Sequence, residues 1–151
     1  MIGRSLISVS VQTEDFDLAA QIEPLAKLGG GAVSNFIGYV RGEGGLIALE
    51  LEHYPMMTEK ALTRLAEEAA DRWSLLGVSL VHRVGRLDIG AQIVLVATAS
   101  RHRRDALDAC AFLIDRLKTD APFWKKEIFS DVEDKWVEQR EADLAAKDLW
   151  D

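Results

Sequence analysis

Three lysines and two aromatic residues crowd the segment 116–127, whose sequence is RLKTDAPFWKKE. Lys118 lies near the end of a predicted helix, and Lys125 and Lys126 follow a turn at Pro122. Neighbouring positive charge and partial burial favour the neutral form of a lysine, whose amine can then act as a base or a nucleophile. A lysine near a helix C-terminus also complements the helix dipole, and the aromatic rings suit a core. These residues alone leave both interpretations open.

A second cationic cluster, residues 100–104 with the sequence SRHRR, opens the same predicted helix. Helix N-termini bind anions through free N–H groups, and arginine and histidine extend such a site towards phosphate. A helix from His102 to Lys118 would be about 24 Å long at roughly 1.5 Å per residue. The two ends of one chain's helix therefore cannot contact one small substrate. Either they serve different sites, or a two-fold dimer brings the start of one helix to the end of the other.

Other polar residues offer weaker signals. Arg41 ends a predicted strand beside a glycine-rich loop, residues 42–45, that could close over a ligand; it could equally be an exposed edge arginine. His53 and His82 are flanked by apolar strand residues, which favours packed or hydrogen-bonded side chains, and no spacing supports a zinc site. Cys110 falls on the predicted inward stripe of its helix, which is typical of a small core residue rather than of a sulfur carrier. The other residues of this stripe are Ala106, Ala109, Leu113, Ile114 and Leu117.

The composition is that of an ordinary soluble protein: 151 residues, 48% hydrophobic and 28% charged. No apolar run approaches the ~20 residues that span a bilayer, no signal peptide is apparent, and a single cysteine excludes an internal disulfide. We therefore expect a cytoplasmic protein. The net charge of −7 argues against a nucleic-acid or membrane-surface binder. Residues 101–126 nevertheless carry seven Arg and Lys against four Asp, which suits either a small anionic substrate or a solvated helix face.

Hydrophobic periodicity and turn residues predict an α+β domain that spans residues 1–151. The predicted strands and extended segments are 6–11, 32–40, 47–54, 78–84, 92–99 and 123–129, and the predicted helices end at about 25, 75, 118 and 150. Strands 32–40 and 47–54 are expected to form a hairpin. Asp15 or Asp17 is the expected N-cap of the short helix that ends at about residue 25. Thr58 and Ser100 are the expected N-caps of the two long helices, which should pack against a mostly antiparallel sheet.

Five sequence blocks occur in a characteristic order: LEHYPMMTEKA at 51–61, HRVGRL at 82–87, SRHR at 100–103, LKTDAPFWK at 117–125 and WVEQR at 136–140. In these blocks and their spacing, the chain resembles the large, catalytic subunit of molybdopterin synthase from about residue 5 to residue 150. The loop at 42–45 is shorter than that family commonly has.

The resemblance implies an α/β hammerhead-type fold and a homodimer of large subunits within a heterotetramer. Each large subunit would hold a small ubiquitin-like sulfur-carrier subunit, whose thiocarboxylated Gly-Gly tail enters its pocket. The substrate would be cyclic pyranopterin monophosphate and the product the dithiolene of molybdopterin, with no metal or other cofactor. Matched position by position, the implied catalytic residues are Lys118 and Lys125, and the implied substrate-binding residues are Arg41, His102, Arg103 and Arg140.

Two other functions fit the cationic residues. A non-catalytic docking module would hold the tail of a ubiquitin-like partner without chemistry. A small-anion-binding regulatory domain would have no affinity for such a partner. The presence of both Lys118 and Lys125 favours the enzyme, because binding a tail does not require two lysines at this spacing.

Overall fold

The computed structural model describes residues 4–129 and 135–137, together with residues 147, 149 and 150. Its three helices are α1 (Leu18–Ala26), α2 (Met57–Trp73) and α3 (Arg103–Asp120). Its strands are β1 (Leu6–Gln12), β2 (Ala32–Tyr39), β3 (Leu46–His53), β4 (Gly77–Arg83), β5 (Gly85–Asp88), β6 (Gln92–Ser100), β7 (Phe123–Phe129) and β8 (Lys135–Val137). Arg140 and most of the helix predicted to end near residue 150 lie outside the described residues.

The strands form two four-stranded sheets rather than one. The first sheet has the order β1-β4-β6-β2, in which β1 and β4 are parallel and the other pairs antiparallel. The second has the order β5-β3-β7-β8 and is antiparallel throughout. The predicted α+β class and mostly antiparallel pairing are therefore confirmed. The short strand β5 falls where the sequence predicted only the approach to a turn.

The predicted hairpin of strands 32–40 and 47–54 is wrong. β2 pairs with β6 of the first sheet, whereas β3 pairs with β5 and β7 of the second. Val40, just after β2, is buried and donates its N–H to the Ala91 carbonyl at 2.9 Å. The connecting glycine-rich loop therefore carries the chain from one sheet to the other, because each strand buries its apolar face against a different partner.

The helix caps agree only in part with the predictions. Asp17 caps α1 as predicted, because its carboxylate accepts the Ala20 N–H at 3.3 Å. Thr58 does not cap α2: it is fully buried inside the helix and donates its hydroxyl to the Tyr54 carbonyl at 2.8 Å. The N-cap position is occupied instead by Met56, whose φ is 63°. A left-handed backbone at a non-glycine residue is uncommon and costs free energy.

The prediction that Ser100 caps α3 is also wrong. His102 occupies the N-cap position, and no side chain in the described part of the chain caps the helix there. Ser100 is buried and donates its hydroxyl to the His102 carbonyl instead. The first turn of α3 thus keeps its N–H groups without a side-chain cap.

The main core lies between the first sheet and the helices α2 and α3. The inward stripe of α3 is largely as predicted, with Ala106, Ala109, Cys110, Leu113 and Leu117 all buried. Phe112 is also fully buried, although the sequence did not indicate it, and predicted Ile114 is half-buried. A separate apolar cluster joins the two sheets; it contains Val40, Leu46, Leu49, Leu51 and Leu87.

The direction of α3 decides where its two ends lie. β6 ends at Ser100 and α3 runs back along it, so the C-terminal end of α3 returns to the edge where β6 begins. β4 pairs antiparallel with β6, with His82 opposite Val94, and therefore ends at that same edge. The C-terminal turn of α3 and the end of β4 are thus brought to one side of the molecule.

Truncation of Phe112 tests the importance of its burial. Its ring packs edge-on against Trp73 at 5.1 Å and against Trp150 at 6.0 Å. We expect Phe112→Ala to lower the free energy of unfolding by about 3–5 kcal/mol, measured by chemical denaturation. The matched control is Leu107→Ala on the same helix, where the side chain is 48% exposed and the loss should be much smaller. Equal losses in the two variants would contradict this account of the core.

Candidate active site

An imidazole marks the edge to which the C-terminal end of α3 returns. The ring of His82, near the end of β4, stacks on Phe123 with centroids 3.8 Å apart and planes 20° apart. Its Nδ1 donates to the Arg83 carbonyl at 2.9 Å. Because a carbonyl can only accept, this bond places the proton on Nδ1 and leaves Nε2 of the neutral ring as an acceptor. His82 is therefore packed and hydrogen-bonded, as its apolar flanks predicted.

Two lysines lie close enough to His82 for their charges to act on it. Lys118 is exposed in the last turn of α3, and Lys125 is half-buried in β7. Although part of its surface remains accessible, protein atoms surround the His82 ring, and this burial is the main cause that lowers its pKa to about 4. Electrostatic interactions with Lys118, His53 and Lys125 also lower the pKa of His82, and the hydrogen bond to the Arg83 carbonyl opposes them. The fold thus gathers Lys118 and Lys125 around one neutral imidazole.

The pairing of β7 with β3 separates neighbouring lysines. Lys125 lies opposite the buried Leu51, on the face of the second sheet that packs inward, and Phe123 lies opposite His53 on the same face. Side chains alternate along a strand, so Lys126 lies on the other face, where its ammonium is 4.0 Å from Glu50. Lys125 therefore shares a face with Phe123 and points to the same side as the candidate site, whereas Lys126 does not.

A cleft of about 300 Å³ opens beside the ends of β3 and β7, lined by Glu52, His53, Tyr54 and Trp124. The rings of Tyr54 and Trp124 meet edge to face at 4.6 Å, and both remain about half exposed. The Nδ1 atom of His53 is buried and finds no hydrogen-bond partner within the described part of the chain. Sequence reasoning treated His53 as packed or hydrogen-bonded and missed the cleft, because only the β3–β7 pairing brings Trp124 next to Tyr54.

Arg41 lies at the same end of the first sheet as His82. β2 and β4 both pair antiparallel with β6, so both end at the edge where β6 begins. Arg41 follows β2 directly, is exposed, and places its Nε 2.9 Å from a carboxylate oxygen of Glu43. An exposed ion pair of this kind is weak, so the guanidinium of Arg41 can turn towards a ligand.

His102 and Arg103 lie at the other end of α3, both exposed. Fifteen residues separate Arg103 from Lys118, which is about 22 Å along the helix axis at roughly 1.5 Å per residue. The fold therefore keeps His102 and Arg103 away from the lysines of the same chain. The predicted helix length indicated this separation. Arg140, the remaining predicted substrate-binding residue, lies outside the described residues.

The cationic character of residues 101–126 does not form one surface. Arg116, two residues before Lys118 on α3, is paired with Asp120 at 2.5 Å and with Glu68 at 3.0 Å. Arg104 lies 3.7 Å from Asp108, one turn along α3. The prediction of a single cationic region is replaced by two groups of cations at opposite ends of the helix. Arg116, at the C-terminal end, is engaged in ion pairs that pack α3 against α2.

Two other classes of site find no support in the part of the chain that is described. Residues 4–129 and the few described beyond them contain no group of three or more His, Cys, Asp or Glu side chains that could hold a metal ion. None of the helices α1, α2 and α3 is long and apolar enough to cross a membrane.

Comparison with known proteins identifies the family. Residues 11–120 match the model of the MoaE protein family. The chain belongs to this family. It is 49% identical, over 148 residues, to the molybdopterin synthase catalytic subunit of Rhizobium meliloti (strain 1021). The aligned region covers 95% of this chain and 96% of the relative. The resemblance inferred from the five sequence blocks is thereby confirmed.

Solved structures of MoaE proteins have the same fold. The molybdopterin biosynthesis MoaE protein from Burkholderia ambifaria MC40-6 superposes with a TM-score of 0.83 at 48% identity, over 96% of this chain and 98% of the other. The molybdopterin synthase from Staphylococcus aureus superposes with a TM-score of 0.79 at 36% identity, over 85% of this chain and 95% of the other. The two-sheet architecture of this MoaE-family chain is therefore the architecture of its relatives.

The lowered pKa of His82 predicts how stability changes with pH. The pKa is 6.5 in the unfolded chain and about 4 in the folded one, so the unfolded chain binds more protons between these values. The free energy of unfolding should therefore fall as the pH drops through 6.5 and level off below about 4. At about 1.4 kcal/mol per pKa unit, the loss attributable to His82 between pH 7 and pH 5 is about 2 kcal/mol.

Denaturant titrations at pH 7 and pH 5 check this expectation. The variant His82→Gln carries no titrating group at this position, so its loss between the two pH values should be smaller than that of the wild type. The matched control is His102→Gln, which removes an exposed histidine and should keep the wild-type loss. An unchanged pH dependence in His82→Gln would show that the folded protein does not hold His82 neutral.

Proposed function

We propose that this MoaE-family chain is the catalytic subunit of a molybdopterin synthase, an enzyme of molybdenum cofactor biosynthesis, and that it acts as a sulfurtransferase. One sulfur atom would pass from each of two thiocarboxylated C-termini of the small ubiquitin-like subunit to cyclic pyranopterin monophosphate, forming the dithiolene of molybdopterin. Water would release each tail as a carboxylate. The observation that carries this proposal is that Lys118, in the last turn of α3, and Lys125, on the inward face of β7, flank the stack of Phe123 on His82. A solvated helix face would not place a lysine of α3 and a lysine of the following strand β7 beside the same imidazole.

The charges of the two lysines suit the proposed chemistry. A thiocarboxylate is an anion, so ammonium groups at the end of α3 and on β7 would attract it and stabilise negative charge on its acyl oxygen. As sulfur attacks the pterin, one lysine would transfer the proton that the reaction displaces. Lys118 is exposed, which leaves its ammonium accessible to the tail of a partner subunit. The sulfur arrives already activated, so the proposed step needs no metal or nucleotide.

The substrate phosphate would be held by the predicted cationic residues, which are Arg41, His102, Arg103 and Arg140. Because α3 separates His102 and Arg103 from Lys118 by more than 20 Å, we propose that they belong to the pocket of the opposite subunit in a homodimer. With one small subunit on each, the assembly would be a heterotetramer. A cytoplasmic location completes the proposal, since Cys110 is a buried free thiol.

Removal of Lys118 tests the proposed chemistry. We expect Lys118→Ala to lower the rate of dithiolene formation by at least about 100-fold, the usual contribution of a proton-transferring side chain. The melting temperature should hardly change, because a lysine at a helix end contributes only about 0.3–1 kcal/mol. The assay mixes the purified protein with thiocarboxylated small subunit and cyclic pyranopterin monophosphate, and it measures the product.

The matched control is Lys27→Ala, which removes another exposed lysine at a helix C-terminus, paired with Glu23 at 2.8 Å. It should retain wild-type activity. Activity of Lys118→Ala within about threefold of the wild type would remove Lys118 from the mechanism. A wild-type protein that binds the small subunit but forms no dithiolene would identify a docking module instead. Failure to bind that subunit would favour an anion-binding regulatory domain.

A mixed dimer tests the shared pocket. Lys118→Ala and Arg103→Ala homodimers should both be inactive, because every pocket lacks one residue. In a heterodimer of the two variants, one pocket receives both changes and the other neither, so about half of the wild-type activity should return. Co-expression with two different affinity tags allows the heterodimer to be purified and assayed.

The same experiment distinguishes the alternative arrangement. Were both residues to act within one chain, each pocket of the heterodimer would carry one change and stay inactive. A verified heterodimer without recovered activity would therefore rule out the shared pocket and assign Arg103 a separate role. Wild-type protein carrying the same two tags controls for the effect of the tags.

A further inference from the structure

A ring contact joins the chain between the two lysines to a residue of the first sheet. Phe123 stands five residues after Lys118 and two before Lys125, and its backbone N–H donates to the Ala121 carbonyl at 2.9 Å. Its ring stacks on His82 at 3.8 Å on one side, and the ring of His53 lies 6.3 Å away. Lys118 lies near the end of α3 and Lys125 near the start of β7, with Phe123 between them in the chain. A displacement of Phe123 would therefore alter the distance between the two lysines.

The position and orientation of the His82 ring are fixed by its strand and by a hydrogen bond. β4 is an inner strand of the first sheet, and His82 lies between Val11 of β1 and Val94 of β6. The hydrogen bond from Nδ1 to the Arg83 carbonyl fixes both the orientation of the ring and its tautomer. An inner strand with a bonded side chain moves less than the connection between α3 and β7. The His82 ring, held by the first sheet, can therefore determine the position of the Phe123 ring that stacks on it.

The charge of His82 matters as much as its shape. The titratable side chains that act on it are Lys118 of α3, Lys125 of β7 and His53 of β3, whereas β1 and β6 place valines beside it. A protonated His82 would add a further positive charge next to two ammonium groups and repel both. Since its pKa is about 4, the ring is neutral near pH 7 and lets the lysines stay close.

We propose that His82 is a positioning residue of the sulfur-transfer site, whose neutral imidazole holds the Phe123 ring and thereby sets the spacing of Lys118 and Lys125. This inference rests on the proposed function, because the lysine spacing matters only if both lysines take part in the reaction. It adds to that function a residue of the first sheet that touches neither substrate nor sulfur donor.

The first test removes the flat ring. In His82→Leu, kcat for dithiolene formation should fall at least about tenfold, while KM for cyclic pyranopterin monophosphate stays within about threefold. His82→Phe keeps a ring that can stack, so its kcat should fall less. The control is Val78→Ala on the same strand, a fully buried residue whose truncation destabilises the fold but should leave kcat within about twofold. All variants are assayed below their melting temperatures.

The second test examines the charge. Phe123→Ala uncovers His82, whose pKa should rise towards its ordinary value. Between pH 8 and pH 6, kcat of Phe123→Ala should therefore fall up to about fourfold more than that of the wild type. The double variant His82→Leu/Phe123→Ala should lose this additional fall, because it has no group to protonate. A residue that only packs in the core would produce no pH dependence of this kind.

The outcomes separate the two proposals. Wild-type protein that forms no dithiolene overturns the proposed function and this inference together. Active wild type with His82→Leu within about threefold of its kcat overturns the inference alone. Equal kcat in His82→Phe and His82→Leu overturns the role of the stacked ring, and should His82→Leu not fold, His82→Phe and Phe123→Ala still decide. An identical pH profile for Phe123→Ala and the double variant overturns the role of the neutral charge.

Discussion

The packing of α3 against β6 is the constraint on which the site depends. Inside this contact, the buried hydroxyl of Thr98 on β6 donates to the Ala106 carbonyl of α3 at 2.7 Å. An unpaired carbonyl or hydroxyl in this core would cost about 1–3 kcal/mol, so the contact fixes the helix in position as well as burying its apolar stripe. Since α3 runs back along β6, its C-terminal end lies near His82 and its N-terminal end lies at the opposite end of the first sheet.

An ion-pair network holds the end of α3 that carries Lys118. Burial raises the pKa of Asp120, but hydrogen bonds from Lys147 at 2.9 Å and from Arg116 at 2.5 Å outweigh it and lower that pKa overall. Arg116 also reaches Glu68 of α2 at 3.0 Å. Half-buried pairs of this kind are screened less than surface pairs. The carboxylate of Asp120 thus pairs with Arg116 and Lys147, whereas Lys118, two residues before Asp120, remains exposed.

The second sheet contributes Lys125 and His53 to the candidate site. β7 brings Lys125 inward and sends Lys126 to the other face, while β3 brings His53 beside Phe123. The two sheets are joined by an apolar cluster around Leu49, Leu51 and Leu87, so the two lysines are positioned by separate packed bodies that meet at the His82–Phe123 stack. A movement of one sheet relative to the other would therefore change the distance between the two lysines.

Local features of the chain were determined by the sequence itself. The apolar period of α3, the turn at Pro122 and the extended segment after it place Lys118 at a helix end and Lys125 on a strand. The length of α3 already separated His102 from Lys118, since the rise per residue of a helix is constant. These predictions held because they depend on neighbours within a few residues along the chain.

The partners of each strand were decided only by the tertiary structure. Alternation along β2 and β3 shows which side chains are apolar but not which strand covers them, so a hairpin and two separate sheets fit the same pattern. The meeting of His82, Phe123 and His53 depends on that choice, because the three residues lie on three strands in two sheets. Their distances are set by sheet packing, a long-range property that no local period records.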